Sequence, residues 1–381
     1  PSFKLYTGNK LELLLDALAE VVSVPHESAL TPEIIVVQNS GMQRWISLQL
    51  AKKLGIWANC SFLFPNAFVE TLFKQALPEF DDNNRFEPRT MTWRIMKLLP
   101  TLLDRPEFSQ LKTYLHDGRQ LKLFQLASKI ADTFDNYTLY RPSLILQWEQ
   151  GAESHWQAVL WRALASEGRG MHRARMKSQV LSQMAQSSFL WPGPARRFSL
   201  FGISSLPPFH VEMVRALSSF VDVHVFLLNP CAEYWDDVLS EREIGNILKK
   251  KGKPLIARDD MHWEKGNRLL SSLGGYVRDF LWMLHDVEGE EFSLVEAPEP
   301  RSMLSCIQSD ILHLRERGEG QVVPATPLSP SDDSIQIHSC HGPLREMEAL
   351  YDILLKQFEK RPGLLPSDIV VMTPDIELYA P

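Results

Sequence analysis

The chain has 381 residues and a formal net charge of −7, with 44% hydrophobic and 23% charged residues. This composition predicts an ordinary globular protein of two or three domains and excludes disordered and fibrous proteins. The acidic balance argues against a broad basic face that coats duplex DNA, but not against a narrow channel lined by Arg and aromatic side chains. No apolar run reaches the ~20 residues of a membrane span, and no export signal opens the chain, so we expect a cytoplasmic protein without membrane contact. Four widely spaced cysteines predict buried free thiols.

The chain begins with strand and helix patterns in alternation. Phe3–Tyr6 and the β-branched run Ile34–Val37 predict strands, the second of them buried on both faces. Apolar residues at helical spacing over Leu11–Val22 predict one helix, and a second runs from Met42 to about Gly55. This alternation predicts a parallel α/β sheet with right-handed crossovers.

The next part of the chain carries helical patterns only. Leu121–Tyr140 is a long periodic stretch, and an earlier helix is expected to stop at Pro100. The strand pattern returns at Phe198–Ile203 and Val223–Leu228, with a helix over His210–Phe220 between them. The helical part is therefore predicted to be an insertion within the α/β domain.

A stretch of Gly, Pro, Ser and Asp then predicts a linker. After it, Ile335–Ile337, a helix over Arg345–Phe358 and a strand over Ile369–Met372 predict the start of a second α/β domain that this chain does not finish. The opening Pro1-Ser2 and this unfinished unit predict a fragment of a longer polypeptide. The predicted divisions are an α/β first part, a helical insertion, an α/β second part, a linker and a truncated domain, at residues 1–65, 66–190, 191–316, 317–334 and 335–381.

The turn after the first strand is where a P-loop NTPase would hold its nucleotide. A phosphate-binding nest needs a run of free backbone N–H groups, a Lys, and a hydroxyl for magnesium. Here Gly8 is the only glycine of the turn, and Leu11 stands where Ser or Thr should be, so Lys10 is isolated. The strand Val223–Leu228 ends in Asn229 instead of a magnesium-binding carboxylate. We therefore expect no catalysis by this segment and no bound cofactor or metal.

Two other groups of residues resemble metal or hydrolytic sites only in part. His338 to His341 has metal-ligand spacing without a second ligand pair, and Asp259, Asp260 and His262 lack a phosphate-binding context. Both are interpreted as structural or solvated residues.

Three segments carry the side chains that suit single-stranded nucleic acid. Stacking needs aromatic or Arg faces, and base edges are read by Gln, Asn, Arg or Asp. The segment 38–45 follows a strand, Asp132, Asp135 and Asn136 share one helix face just before Arg141, and 172–177 is strongly basic. Each has a structural alternative: the first segment only caps a helix, the second is a solvated surface, and the third is an ordinary exposed helix.

Long strings of this sequence resemble the RecC family, the gamma subunits of exodeoxyribonuclease V. They are GMQRWISLQLAKKLGIWANCSFLFPNAFV, KLFQLASKIADTFDNYTLYRP, FSLFGISSLPP, LLNPCAEYW and NRLLSSLGGYVRDF. The resemblance implies an α/β fold of the superfamily 1 helicase type, a P-loop NTPase-like domain that has lost its ATP site. It assigns residues 1–65 and 191–316 to helicase domain 1A, the insertion to 1B, and residues 335–381 to the start of domain 2A.

The same resemblance implies the function. The chain would be a non-catalytic subunit of a bacterial RecBCD complex in double-strand break repair by homologous recombination. It would channel the unwound 3′-ended strand and recognise the Chi signal, beside a RecB-like helicase–nuclease and a RecD-like helicase that supply ATP and Mg²⁺ chemistry. Two alternatives stay open: a scaffold that only docks the RecB-like subunit, and an ATP-dependent helicase in its own right.

The resemblance also implies the residues of a strand-reading surface. Four positions depart from the commonest family types: Arg44 replaces Gln, Phe64 replaces Leu, Glu70 replaces Trp and Thr133 replaces Leu. The channel is therefore a firmer expectation than the base sequence it reads. The positions that match the family surface are Gln38, Ser40, Arg44, Phe64, Asp132, Thr133, Asp135, Asn136, Arg141 and Arg173.

Overall fold

A computed structural model gives the fold of the chain. It describes residues 1–28, 30–77, 85–167, 171–186, 188–250, 266–318 and 323–379. These fall into two compact units, the first formed by Pro1–Ala297 with Asp310–Val323, the second by Pro298–Ser309 with Pro324–Pro381.

A six-stranded sheet forms the centre of the first unit, with strand order β3-β2-β4-β5-β1-β6. Every neighbouring pair runs parallel, as the alternation of strands and helices predicts. The predictions of β2, β4 and β5 from apolar runs are confirmed, with small shifts of the strand ends. The strands β3 and β6 carry no such run and were not predicted. The six strands are β1 Ser2–Gly8, β2 Glu33–Val36, β3 Cys60–Leu63, β4 Arg197–Phe201, β5 Asp222–Leu228 and β6 Glu290–Leu294.

Between β1 and β4, the described residues of the first unit form nine α-helices. The predicted all-helical stretch is confirmed, because no strand occurs among the described residues between β3 and β4. The expected stop at Pro100 is wrong, since the helix continues past it to Leu102 with Pro100 exposed near the helix end. The nine helices are α1 Leu11–Ser23, α2 Ser40–Leu54, α3 Pro65–Ala76, α4 Pro88–Leu102, α5 Ser109–Tyr114, α6 Gln120–Tyr140, α7 Pro142–Glu149, α8 Trp156–Glu167 and α9 Arg173–Met184.

Further helices follow β4. Residues 268–285 form two helices, because Gly274 caps the end of the first and the second begins at Gly275. The helices are α10 Pro208–Ser218, α11 Glu241–Lys250, α12 Arg268–Leu273, α13 Gly275–His285, α14 Met303–Leu312, α15 Pro343–Lys360 and α16 Ile376–Tyr379.

The hydrophobic core covers both faces of the sheet. Along β2 and the residue after it, Ile34 and Val36 belong to one buried cluster and Ile35 and Val37 to another, as strand alternation requires. A third cluster lies within the helical stretch, around the fully buried Phe134, Trp148 and Trp161. Burial on both faces is typical of a parallel sheet and holds the strand ends in fixed positions.

The secondary structure of the second unit differs from the predicted start of a second α/β domain. The segments Ile335–Ile337 and Ile369–Met372 lie in irregular backbone, so both predicted strands are wrong, while the helix between them is α15. An apolar run needs neighbouring strands to pair with, and the described residues of this unit contain none. Within the same unit the first turn of α14 is capped, because Met303 N donates to Asp332 Oδ2 at 2.7 Å.

None of the helices that the structure describes is both long and apolar enough to traverse a bilayer. All four cysteines are free, as predicted, but only Cys231 and Cys306 are buried; Cys60 and Cys340 are partly exposed.

Candidate nucleic-acid interface

The turn after β1 is closed by another part of the chain. A Cβ added at Gly8 would lie 2.7 Å from Leu294 O, so this glycine permits a close approach of β6. The Asn9 side chain donates to Glu296 O at 2.8 Å and accepts from Glu296 N at 3.1 Å. Lys10 Nζ lies 2.6 Å from Glu296 Oε1. The residues that stand where a P-loop would cradle phosphate are thus bonded to the segment that follows β6.

The residue at the end of β5 also has a structural role. Asn229 is buried, and its Oδ1 accepts from Cys231 N at 3.2 Å and from Trp235 Nε1 at 3.1 Å. The amide oxygen accepts both hydrogen bonds and so stabilises the loop that follows β5. The side chain at the position where a P-loop NTPase would need a magnesium-binding carboxylate is therefore bonded within the chain.

The carboxyl end of β2 is open by comparison. Gln38 is exposed in the turn that leads to α2, Ser40 is exposed as the first residue of that helix, and Arg44 is exposed in its second turn. Asn39 caps the helix, because its Oδ1 accepts from Met42 N at 2.9 Å. The helix-capping alternative thus holds for Asn39, and its neighbours Gln38 and Ser40 stay accessible.

Phe64 lies beside this turn because β2 and β3 are paired. Val36 is in register with Leu63, and Val37 N donates to Leu63 O at 2.9 Å, so the residues after the two strands leave the sheet side by side. Phe64 is 48% exposed although it is aromatic. An exposed aromatic ring after one strand and an exposed Gln after its paired neighbour are the side chains that base stacking and base-edge contacts require.

A second group of predicted residues lies on α6. Asp132 and Asn136 are exposed on one face of the helix, Asp135 is half-buried, and Arg141 is exposed just past the helix end. Thr133 differs, because its Oγ1 donates to Lys129 O of the same helix at 2.7 Å. The predicted shared face is therefore present, with the Thr133 hydroxyl used internally.

Asp135 joins this face to α9. Arg173 Nη1 lies 3.2 Å from Asp135 Oδ1. Burial raises the pKa of the Asp135 carboxyl; the guanidinium of Arg173 opposes that rise and the neighbouring charge of Asp132 adds to it. The structure thus brings Asp132, Asp135 and Arg173 together.

The basic segment 172–177 is not an exposed basic helix, so that alternative is wrong. His172 is fully buried and bonds to Glu149, which also binds Arg175. Burial would raise the pKa of Glu149, but the hydrogen bond and charge of His172, the hydrogen bond from Trp161 and the charge of Arg175 together lower it. This anchors α9 to the end of α7 by paired charges.

Lys177, in the same segment, is buried and lies 2.6 Å from Glu212 Oε2 of α10. Together with the Arg173 contact to Asp135, these pairs neutralise most of the positive charge of the segment. It therefore offers phosphate less charge than its sequence indicates.

A buried histidine of α10 contacts the start of α3 and lies within the field of the positive charges of α9. His210 of α10 is 3% exposed, and its Nε2 lies 3.2 Å from Oδ1 of the exposed Asn66 in the first turn of α3. Burial and the positive charges of Arg173 and Lys177 lower the pKa of His210 to about 4, so the ring is neutral at pH 7. Because a carbonyl oxygen only accepts, Nε2 carries the proton.

Neither Asn66 nor His210 was predicted from the sequence. The sequence feature that could have indicated these two residues is their position after the strands. Asn66 comes two residues after Phe64, and His210 follows β4, which pairs with β2. Polar residues that closely follow the ends of paired parallel strands gather at the same edge of the sheet.

The two remaining candidate sites receive no support. Asp259, Asp260 and His262 lie outside the described residues. His338 lies in irregular backbone and contacts Gln336 Oε1 at 3.2 Å. Over the described ranges, no group of three or more His, Cys, Asp and Glu side chains could hold a metal ion.

Comparison with known families identifies the chain's relatives. The sequence model described as the RecC N-terminal domain matches residues 3–314. The chain belongs to the RecC N-terminal domain family. The RecBCD enzyme subunit RecC of Escherichia coli strain K12 is 35% identical, over 99% of this chain and 37% of that protein.

Two other relatives carry the same name. The RecBCD enzyme subunit RecC of Haemophilus influenzae is 34% identical over 100% of this chain and 38% of its own length. That of Mycolicibacterium smegmatis is 32% identical over 99% of this chain and 34% of its own length. The chain thus spans a little over a third of the length of the curated RecC proteins it matches.

Proposed function

We propose that this RecC-family chain is the N-terminal part of a non-catalytic subunit of a RecBCD-type DNA-repair enzyme. In that assembly it guides the unwound 3′-ended strand past the turn after β2, Phe64 and the face of α6, and reads the Chi signal there. Its partners are a RecB-like helicase–nuclease and a RecD-like helicase. The observation that carries the proposal is the open edge at the carboxyl ends of the paired strands β2 and β3, where Gln38 and Phe64 are both exposed.

The architecture supports a helicase-like fold without nucleotide chemistry. A parallel sheet interrupted by helices is the layout expected of helicase domain 1A with a 1B insertion. At the place of the P-loop, Asn9 and Lys10 are bonded to Glu296. A phosphate group would have to displace these contacts and would still lack a run of free backbone N–H donors.

Substitution of Gln38 and of Arg141 by alanine, one at a time, tests the proposal. In the full-length subunit assembled with its partners, Gln38→Ala and Arg141→Ala should leave the unwinding rate unchanged. The frequency of response to the signal sequence should fall about tenfold, because each well-made base contact contributes ~1–3 kcal/mol. Ser178→Ala, at an exposed position of α9, is the matched control and should behave like the parent. Parental signal response in both test variants would remove the assignment.

A scaffold that only docks the RecB-like subunit is the second candidate. The pairing of Arg173, Arg175 and Lys177 with acidic side chains favours it, because these residues then offer little charge to phosphate. Photocrosslinking from position 136 in the assembled complex on a forked substrate separates the two candidates. A crosslink to single-stranded DNA supports strand guidance, and a crosslink to protein alone supports the scaffold.

A further inference from the structure

Two aromatic rings are exposed together on the helical insertion. Trp93 of α4 is 63% exposed and Phe124 of α6 is 39% exposed, and their ring centroids lie 5.6 Å apart. Leu121, one turn before Phe124, is 68% exposed. An exposed pair of large aromatic rings in contact is uncommon on a solvated helix surface and indicates a binding surface.

Positive side chains flank the tryptophan. Arg89 and Lys97 lie four residues before and after Trp93, so all three share one face of α4. Both are exposed, and neither has an ion-pair partner within the described part of the chain. This contrasts with Arg173 and Lys177, which are paired with acids.

The charge of this surface is opposite to that of the whole chain. α4 and the first twelve residues of α6 hold five basic residues and no acidic one, in a chain of net charge −7. Arg94 donates to Arg85 O and Leu164 O, and Lys122 pairs with Asp117. Arg89, Lys97 and Lys129 remain exposed. A local excess of unpaired cations beside aromatic rings suits a polyanion with stackable bases.

On α6, Phe124 lies about a third of a turn around the helix axis from the face already assigned to the strand. Gln125, Lys129, Asp132 and Asn136 are exposed and follow each other on one side of α6. Asn136 comes twelve residues after Phe124, which is about 18 Å along the helix axis. A strand that contacts Asn136 can therefore reach the aromatic pair by following α6 and crossing about a third of a turn of its surface.

We propose that Trp93 and Phe124, with Arg89 and Lys97, form a second binding site for single-stranded DNA, in which bases stack on the rings and phosphates contact the cations. This inference rests on the proposed function and extends its path along α6. A protein partner fits the surface less well, because burying the rings under an apolar surface would also desolvate Arg89 and Lys97 without pairing them.

The test places a photoreactive phenylalanine analogue at positions 93, 124, 136 and 190 of the full-length subunit, one at a time, in the assembled complex on a forked substrate. Leu190 is the matched control, an apolar side chain that is 85% exposed. We expect crosslinks to the 3′-ended strand from positions 93, 124 and 136 and none from position 190. A crosslink from 136 but none from 93 and 124 overturns the second site and leaves the proposed function standing. Crosslinks from 93 and 124 to protein alone make it a docking surface, and no DNA crosslink from 93, 124 or 136 overturns both proposals.

Binding measurements separate stacking from charge. Trp93→Ala should weaken binding of a single-stranded oligonucleotide by the complex about tenfold, whereas Trp93→Phe should retain most of it. In the Arg89→Gln/Lys97→Gln variant the slope of log affinity against log salt should decrease in magnitude by about 1.4, because each lost phosphate contact removes about 0.7. Parental affinity in Trp93→Ala together with a parental salt slope in the double variant would overturn the second site.

Discussion

The carboxyl ends of β1 and β2 belong to the same sheet and differ in what surrounds them. After β1 the turn is short and closed: Gly8 touches β6, and Asn9 and Lys10 are bonded to Glu296. After β2 the turn is open, with Gln38 and Ser40 exposed. In open parallel sheets this edge is the usual place for ligands. The comparison shows that the accessible part of this edge lies at the turns after β2 and β3, not at the turn after β1.

Of the substitutions considered, one in the closed turn after β1 should lower the stability of the protein most. Gly8→Ala places a Cβ within 2.7 Å of a backbone oxygen that cannot rotate away. We expect the free energy of unfolding to fall by about 2–3 kcal/mol, measured by urea denaturation. Gly275→Ala is the control, because a Cβ there meets nothing within 4 Å. Equal stability of the two variants would show that β6 does not close the turn.

Acidic pH should lower the free energy of unfolding through His224, whose ring stacks with Tyr6 and Phe226. Burial lowers the pKa of His224 to about 4; the charges of Arg197 and Lys4 add to this and Asp222 opposes it. Between pH 6.5 and 4 the unfolded chain binds a proton that the folded chain does not, so stability falls as pH falls.

His224→Phe removes that proton, and the loss of stability from pH 7 to pH 4 should shrink by at most about 3 kcal/mol. The measurement is urea denaturation of parent and variant across this pH range. His210→Gln should act in the same direction, because the pKa of His210 is also lowered to about 4. Parallel pH profiles for all three proteins would contradict the buried, neutral state of both rings.

The ion pair between Arg173 of α9 and Asp135 of α6 should contribute less to stability. Arg173→Ala leaves the half-buried Asp135 without its partner, and we expect a loss of about 1–2 kcal/mol at pH 7. The Asp135→Asn/Arg173→Ala double variant should recover part of it, because no unpaired charge is left. A double-mutant cycle in chemical denaturation gives the coupling energy, and a value near zero would argue against the pair.

The smallest effect should come from the closed turn's exposed ion pair. Lys10→Gln removes a contact between two exposed side chains, which is worth less than about 1 kcal/mol. Thermal unfolding should therefore be almost unchanged. A loss of several kcal/mol would mean that Lys10 has a structural role that its exposure does not explain.

The sequence predicts the centre of the sheet and misses its edges for a physical reason. β2, β4 and β5 are buried on both faces, so their residues form apolar runs. The edge strand β6 is Glu290–Leu294, with an exposed burial pattern that leaves no apolar signature. Ile335–Ile337 and Ile369–Met372 show the converse, because an apolar run becomes a strand only where other strands are present to pair with it.

The candidate site is partly predictable for a similar reason. Positions that depend on the helix repeat, such as Asp132 and Asn136 on one face of α6, follow from the sequence alone. The pairing of Arg175 with Glu149 and of Lys177 with Glu212 does not, because these partners are distant in the chain. A basic segment therefore indicates positive charge but not whether that charge is free.

Photolabelling with an azido-ATP analogue in the assembled complex tests the central contrast most directly. With Mg²⁺ present, peptides of this subunit that span Tyr6–Leu11 should remain unlabelled, while a photoreactive residue at position 136 crosslinks to the 3′-ended strand. Saturable, magnesium-dependent labelling of the Tyr6–Leu11 segment that disappears in Lys10→Ala would contradict the account, because the closed turn would then hold a nucleotide.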